Sequence, residues 1–153
     1  MEYSLTIVII YRRMIYSIIT TKFQHNVKLI FPVLNEGNSP VFLAMQDPHL
    51  VPSLKHANKI RKEIKFLEAL PLNESLRVRR AVKLEAMGKQ DLYELRIFAP
   101  SNMAYRLLFA IRYVGYIALH FFLKKSDNYE REIYIALNRL EQYDYERSKI
   151  SNN

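Results

Sequence analysis

The chain of 153 residues contains no cysteine. That excludes a disulfide framework, a thiol nucleophile and every Cys-ligated zinc or iron–sulfur site. Glycine is nearly as scarce. Gly37, Gly88 and Gly115 stand far apart, so no glycine-rich loop can cradle a phosphate chain. His25, His49, His56 and His120 lack metal-ligand spacing, and neither a metal nor a cofactor is expected. No Ser, His and Asp placement suggests a nucleophile elbow. Long apolar runs are missing too. Leu5 to Tyr11 and Met14 to Ile19 are apolar and rich in β-branched residues, but Arg12 and Arg13 divide them. A membrane span needs about 20 continuous apolar residues, and an arginine pair at its centre is costly. A secretory signal would carry its positive charge before the apolar run and small residues after it, and neither is present here. Residues 1–22 therefore read as an N-terminal extension, either a strand arm or a disordered leader. A single domain is expected over 23–148, with a short tail at 149–153.

Half of the residues are hydrophobic and 25% are charged, a globular balance at a length suited to one core. The net charge of +8 implies an anionic partner. That charge is concentrated. Residues 52–83 hold Lys55, Lys59, Arg61, Lys62, Lys65, Arg77, Arg79, Arg80 and Lys83 against only Glu63, Glu68 and Glu74. Such a run is either a solvated helix face or a docking surface for a polyanion.

Residues 24–31 alternate in polarity and end at Pro32, which predicts a first strand. A short helix is expected around 40–46, with Ser39 as N-cap and Pro40 in its first turn. The clearest helix is predicted over 52–70, where Leu54, Ala57, Ile60, Ile64 and Leu67 recur on one face. Lys55, Lys59 and Lys62 then fall on roughly the opposite face. A basic connector is expected over 76–84. Leu92 to Phe98 alternates as a strand, with Tyr93, Leu95 and Ile97 on one side and Glu94 and Arg96 on the other. Met103 to Arg112 and Tyr116 to Leu123 complete a three-stranded meander that turns at Gly115. A final amphipathic helix is expected from about Asn128 to Arg147. The fold class is α+β: a small, mainly antiparallel sheet, an N-terminal strand plus the meander, with helices on one face and a C-terminal helix.

Charged residues within these strands mark the candidate site. Glu94, Arg96, Arg106, His120 and Lys124 occupy positions where an apolar strand would otherwise be buried, and such residues need partners. Glu94 and His120 are the conventional acid–base types, although Glu94 can equally serve to hold Arg96. Tyr93 and Tyr105 fall on the apolar face, where core packing outweighs stacking on a ligand.

Four segments in order carry a resemblance: Asp91-Leu92-Tyr93-Glu94-Leu95-Arg96-Ile97, Tyr105-Arg106-Leu107-Leu108-Phe109, Leu119-His120-Phe121-Phe122-Leu123-Lys124-Lys125, and Glu132-Ile133-Tyr134-Ile135-Ala136-Leu137-Asn138-Arg139-Leu140. Together they resemble the RelE/HigB toxin superfamily, and within it the phage-derived HigB-like branch. Lys83-Leu84-Glu85 resembles the segment that precedes the family's first meander strand. The likeness spans about 24–147. It departs from the family pattern at Phe121 and Phe122, where glycine is usual, at Ser126-Asp127-Asn128, and in the N-terminal extension.

The resemblance implies a RelE-like fold and a cytoplasmic toxin of a type II toxin–antitoxin pair. Such a toxin is a metal-independent endoribonuclease that cleaves mRNA on the ribosome and inhibits translation. Its implied partners are mRNA, the ribosome and a cognate helix-turn-helix antitoxin encoded next to it. RNA cleavage without a metal needs a base for the 2′-hydroxyl, positive charge for the phosphorane and an acid for the leaving oxygen. On this reading Arg96 and Arg106 stabilise the transition state, because a guanidinium forks onto phosphate and stays charged. Lys83 and Lys124 are phosphate ligands or a lysine base, and Glu94 and His120 are the acid–base pair. Lys55, Lys59, Lys62, Arg77, Arg79, Arg80 and Lys125 form the RNA-binding surface. The alternative is a non-catalytic RNA-binding protein on the same fold.

Overall fold

The computed structural model describes residues 27–34, 37–84 and 90–152. The expected N-terminal extension over 1–22 lies outside them. The element order is β1 (Leu29–Ile30), α1 (Pro40–Gln46), α2 (Leu54–Ala69), α3 (Leu72–Arg77), β2 (Ala81–Leu84), β3 (Leu92–Ala99), β4 (Met103–Arg112), β5 (Gly115–Leu123) and α4 (Glu130–Ser151).

Local chemistry sets the helix starts. The Ser39 side chain accepts a hydrogen bond from the Phe42 backbone N–H, and Pro40 occupies the first turn, as the sequence predicts. Ser53 caps α2 in the same manner, and its hydroxyl also holds His56 Nδ1 at 2.6 Å. The other ring nitrogen of His56 lies 3.1 Å from the Pro100 carbonyl, so this buried histidine ties the start of α2 to the β3–β4 turn.

The strands form one mixed sheet in the order β1-β5-β4-β3-β2. β1 runs parallel to β5, and the three remaining pairings are antiparallel. Three expectations are corrected here. Among the described residues of the first strand, pairing covers only Leu29–Ile30, because the Leu29 N–H is taken by Glu68 Oε1 at 2.8 Å and the chain turns away at Pro32; residues 24–26 lie outside the described ones. The supposed connector over 76–84 is structured. Leu72–Arg77 is helical, and Ala81–Leu84 is a fifth strand paired with Leu92–Leu95. Helices also cover both faces of the sheet, not one. α2 packs Ile60, Ile64 and Leu67 against Ala81, Leu95, Ile97, Tyr105, Leu107 and Phe109. α4 packs Ala136 and Leu140 on the other side, against Leu92, Leu108, Ala110, Ile117 and Leu119.

The β4–β5 turn is Tyr113–Val114, and Gly115 opens β5 rather than forming the turn. Its φ of +144° and its closeness to the Lys28 carbonyl, 2.6 Å from where a Cβ would sit, leave room for glycine alone. The register shifts between Leu108↔His120 and Phe109↔Ala118, leaving Leu119 of β5 as the extra residue, so that Leu119 and His120 both face α4. No helix among the described residues is long and apolar enough to cross a membrane.

Candidate functional site

Successive side chains of a strand alternate between the two sheet faces. Leu92 of β3 lies under α4, so Glu94, Arg96 and Phe98 share that face and run outward from beneath the helix. Arg96 stands directly opposite Arg106 of β4. The Arg96 backbone N–H donates to the Arg80 carbonyl at 2.8 Å, away from β4. The arginine pair therefore belongs to the close, non-hydrogen-bonded class of antiparallel pairs, and the two side chains leave the sheet together.

One carboxylate serves both. Glu94 is wholly buried. Its Oε1 accepts from Arg96 Nε at 2.7 Å, and its Oε2 accepts from the Tyr129 hydroxyl at 2.5 Å. Arg106 Nε lies 3.7 Å from Oε2, near enough for charge attraction but too far for a hydrogen bond. Arg106 Nη1 donates to its own strand at the Tyr105 carbonyl, and its buried Nε has no hydrogen-bond partner. A buried carboxylate is tolerated because two cations and a phenol surround it. Burial, reinforced by the bond to Glu94, pushes the Tyr129 hydroxyl up to about 12. It therefore remains a proton-bearing donor at neutral pH.

His120 sits apart from this cluster. Its Nε2 faces Glu132 Oε2 at 2.5 Å, and its Nδ1 faces Arg139 Nη1 at 3.0 Å. A guanidinium can only donate, so Nδ1 carries no proton and Nε2–H donates to Glu132. Burial first, and then the charges of Arg139 and Arg131, hold the imidazole below its ordinary value against the opposing pull of Glu132. The ring stacks on Phe122, and Phe122 meets Tyr129 at 5.5 Å between centroids. Phe122 fills the space between His120 and Tyr129.

Beside Tyr129 opens a pocket of about 270 Å³ lined by Leu50, Phe122, Lys125, Ser126, Asn128 and Glu132 among others. Lys125 is exposed at its rim. Lys124 is engaged with Asp127 at 2.5 Å, a contact that holds the Asp127 carboxyl below its usual range. Lys83 does not join the site. It pairs across from Tyr93, whose ring faces the α2-side core, so it leaves the opposite sheet face and bonds Asp91 at 3.2 Å. Tyr93 and Tyr105 are core residues, stacked on Phe109 and Phe121 respectively.

The expected docking surface divides by its ion pairs. Lys59 and Arg80 both hold the buried Glu63, at 2.7 and 2.6 Å, and Arg77 holds Glu74 at 2.7 Å. Arg80 also lies over the Phe66 ring. Lys55, Arg61, Lys62, Lys65 and Arg79 are exposed and have no carboxylate partner among the described residues. Arg61, Lys62 and Lys65 line a groove with Asn58, Phe66 and Ala69 on the outer side of α2. The sheet lies between this surface and the Glu94 cluster. Among the described residues no group of three His, Asp or Glu side chains is placed to hold a metal ion.

Sequence reasoning overlooked Tyr129, Glu132 and Arg139. Tyr129 gives almost no signal, being one aromatic residue just ahead of a helix. Glu132 and Arg139 are seven apart and so share one helix face, which is legible once that face is known to meet β5. No protein-family model matches the chain, and neither a curated protein nor a solved structure matches it.

Proposed function

We propose that the protein is the toxin of a type II toxin–antitoxin pair, a cytoplasmic, RelE-like endoribonuclease that cleaves mRNA on the ribosome. The observation that carries this reading is the convergence of Arg96 and Arg106 on Glu94, beside Tyr129 and the pocket rimmed by Lys125. The mixed sheet with helices on both faces is compatible with that fold. Two adjacent guanidiniums offer the fork geometry that grips a phosphate and offsets the extra charge of a phosphorane. In this scheme the 2′-hydroxyl gives its proton to water, the 2′-oxygen attacks the adjacent phosphorus to close a 2′,3′-cyclic phosphate, and the P–O5′ bond breaks as the 5′-oxygen takes a proton from Tyr129, which regains one from water. Arg96 holds the phosphate, the buried Arg106 adds its positive charge from beneath, Glu94 fixes both arginines, and Tyr129 is the proton donor. A cognate antitoxin would silence the activity by covering this face.

One observation favours the second reading, an RNA-binding protein that does not cleave. Both Glu94 oxygens are occupied beneath the surface, and both His120 nitrogens are engaged, so neither conventional base meets the open side. The deciding experiment expresses the chain in a bacterial host and maps mRNA 5′ ends. New ends within translated frames, together with growth arrest that Arg96→Ala relieves, support the toxin. Unchanged ends with RNA binding retained in vitro support the second reading.

A further inference from the structure

Phe98 is the outermost of the four residues of β3 that share this face, Leu92, Glu94, Arg96 and Phe98, and it is 65% exposed. Its ring takes no part in either apolar cluster. The β2 ladder ends at Ala81↔Leu95 with one further hydrogen bond from the Arg96 N–H to the Arg80 carbonyl, so β3 continues past β2 to Phe98. The Arg106 guanidinium lies 5.6 Å from the ring centroid, and Arg96 precedes Phe98 on the same face. An exposed aromatic ring bounded by cations differs from an apolar protein-docking patch, which would continue into further apolar neighbours. It has instead the two components of a single-strand platform: a π-face that accepts a base and positive charge that tracks the backbone.

We infer that Phe98 is the platform on which an unpaired RNA base stacks, on the ring face away from Arg106, while the partly exposed Arg96 takes the phosphate next to it. This rests on the RNA reading above and deepens it, by naming single-stranded RNA as the ligand and Phe98 as the residue that positions it. A duplex keeps its bases stacked on one another and cannot use the ring. An abasic strand of equal length matches the charge but has nothing to stack.

The chain has no tryptophan, so Phe98→Trp in the full-length protein creates a single tryptophan at the platform, whose emission is excited at wavelengths where the tyrosines do not absorb. The titrants are a short single-stranded oligoribonucleotide, its abasic counterpart with the same number of phosphates, and a blunt RNA duplex. Binding is followed separately by anisotropy of labelled RNA. The expected result is quenching by the single strand alone at saturation. In parallel, Phe98→Ala weakens single-strand binding by about tenfold and leaves abasic binding essentially unchanged. Unquenched emission with bound single strand, or an equal loss for both strands in Phe98→Ala, overturns the proposal. Wild-type protein that binds no RNA overturns both the RNA reading and this one. Quenching and selective binding without cleavage support the platform and remove only the endoribonuclease. The ring is exposed, so both variants are expected to fold, and circular dichroism verifies this.

Discussion

Arg96 and Arg106 are directly opposed across β3 and β4, and both depend on the same buried carboxylate, Glu94. Like charges directly opposite in a sheet repel, so the pair persists because Glu94 lies against it. Glu94→Gln removes that charge and leaves Arg106, itself almost entirely buried, without compensation. The expected cost is about 3 kcal/mol or more, read from urea unfolding. Arg96→Ala strips one hydrogen bond from the buried carboxylate, but Arg106 and Tyr129 still face it, so its cost should be measurable and smaller than that of Glu94→Gln. Equal losses for the two variants would show that Glu94 is not the residue holding the pair in place.

Tyr129→Phe deletes the hydroxyl that donates to Glu94. Stability should fall by about 1–2 kcal/mol, in the range of a hydrogen bond to a charged acceptor. The ionisation of Tyr129, pushed up to about 12 from 10.0, gives the effect a pH signature. Above about pH 10 the unfolded chain loses this proton and the folded chain keeps it. The stabilisation is therefore complete below that pH and is lost as pH rises through about 12. Alkaline ultraviolet titration should lose its latest phenolate component in the variant. If Tyr129 is also the proton donor to the leaving oxygen, mRNA cleavage falls by about 10²-fold or more while RNA binding is retained.

The site was partly legible before any coordinates. Alternation alone puts Glu94 and Arg96 on the side of β3 away from Tyr93, and the structure agrees. What alternation omits is which helix covers which side. α2 and α4 have similar amphipathic patterns, and only the packing of Ala136 and Leu140 assigns α4 to the Glu94 face. β2 was missed because Ala81–Leu84 is four residues long and follows a cationic run. Its strand character comes from Leu92–Leu95, a partner distant in sequence. Asp144 resembles a core position by spacing, yet it forms a two-bonded ion pair with Arg112 at 2.9 and 2.7 Å. Periodicity reports which face a residue occupies; the partner on that face is a tertiary fact.

His120 predicts an acid-sensitive contact between β5 and α4. The groups that face it are Glu132, Arg139 and Arg131 from α4 and Phe122 from its own strand. The folded ring titrates below 6.5, whereas the unfolded ring titrates near that value. Between the two the unfolded chain holds more protons, so stability falls as pH drops below about 6.5 and recovers as it rises. Thermal midpoints of the wild type and His120→Gln, measured from neutral to mildly acidic pH, should converge toward acid as the wild type loses its advantage. Parallel curves would assign the acid sensitivity to other groups.

The cations of α2 should separate into two classes when RNA affinity is measured against salt. Lys62 and Lys65 are exposed and have no carboxylate partner among the described residues. A phosphate held by either one releases a counterion, and each contact steepens the dependence of log affinity on log salt by about 0.7 for a single strand. Lys62→Ala should thus flatten the slope by about that amount and leave thermal stability nearly unchanged. Lys59 and Arg80 share the buried Glu63, and Arg80 packs on Phe66 besides. Arg80→Ala strips an ion partner from a buried carboxylate, so it should lower the unfolding midpoint and change the salt slope little. If Arg80→Ala flattened the slope as much as Lys62→Ala, Arg80 would have to leave Glu63 for a phosphate, and the docking surface would extend from α2 onto the turn before β2.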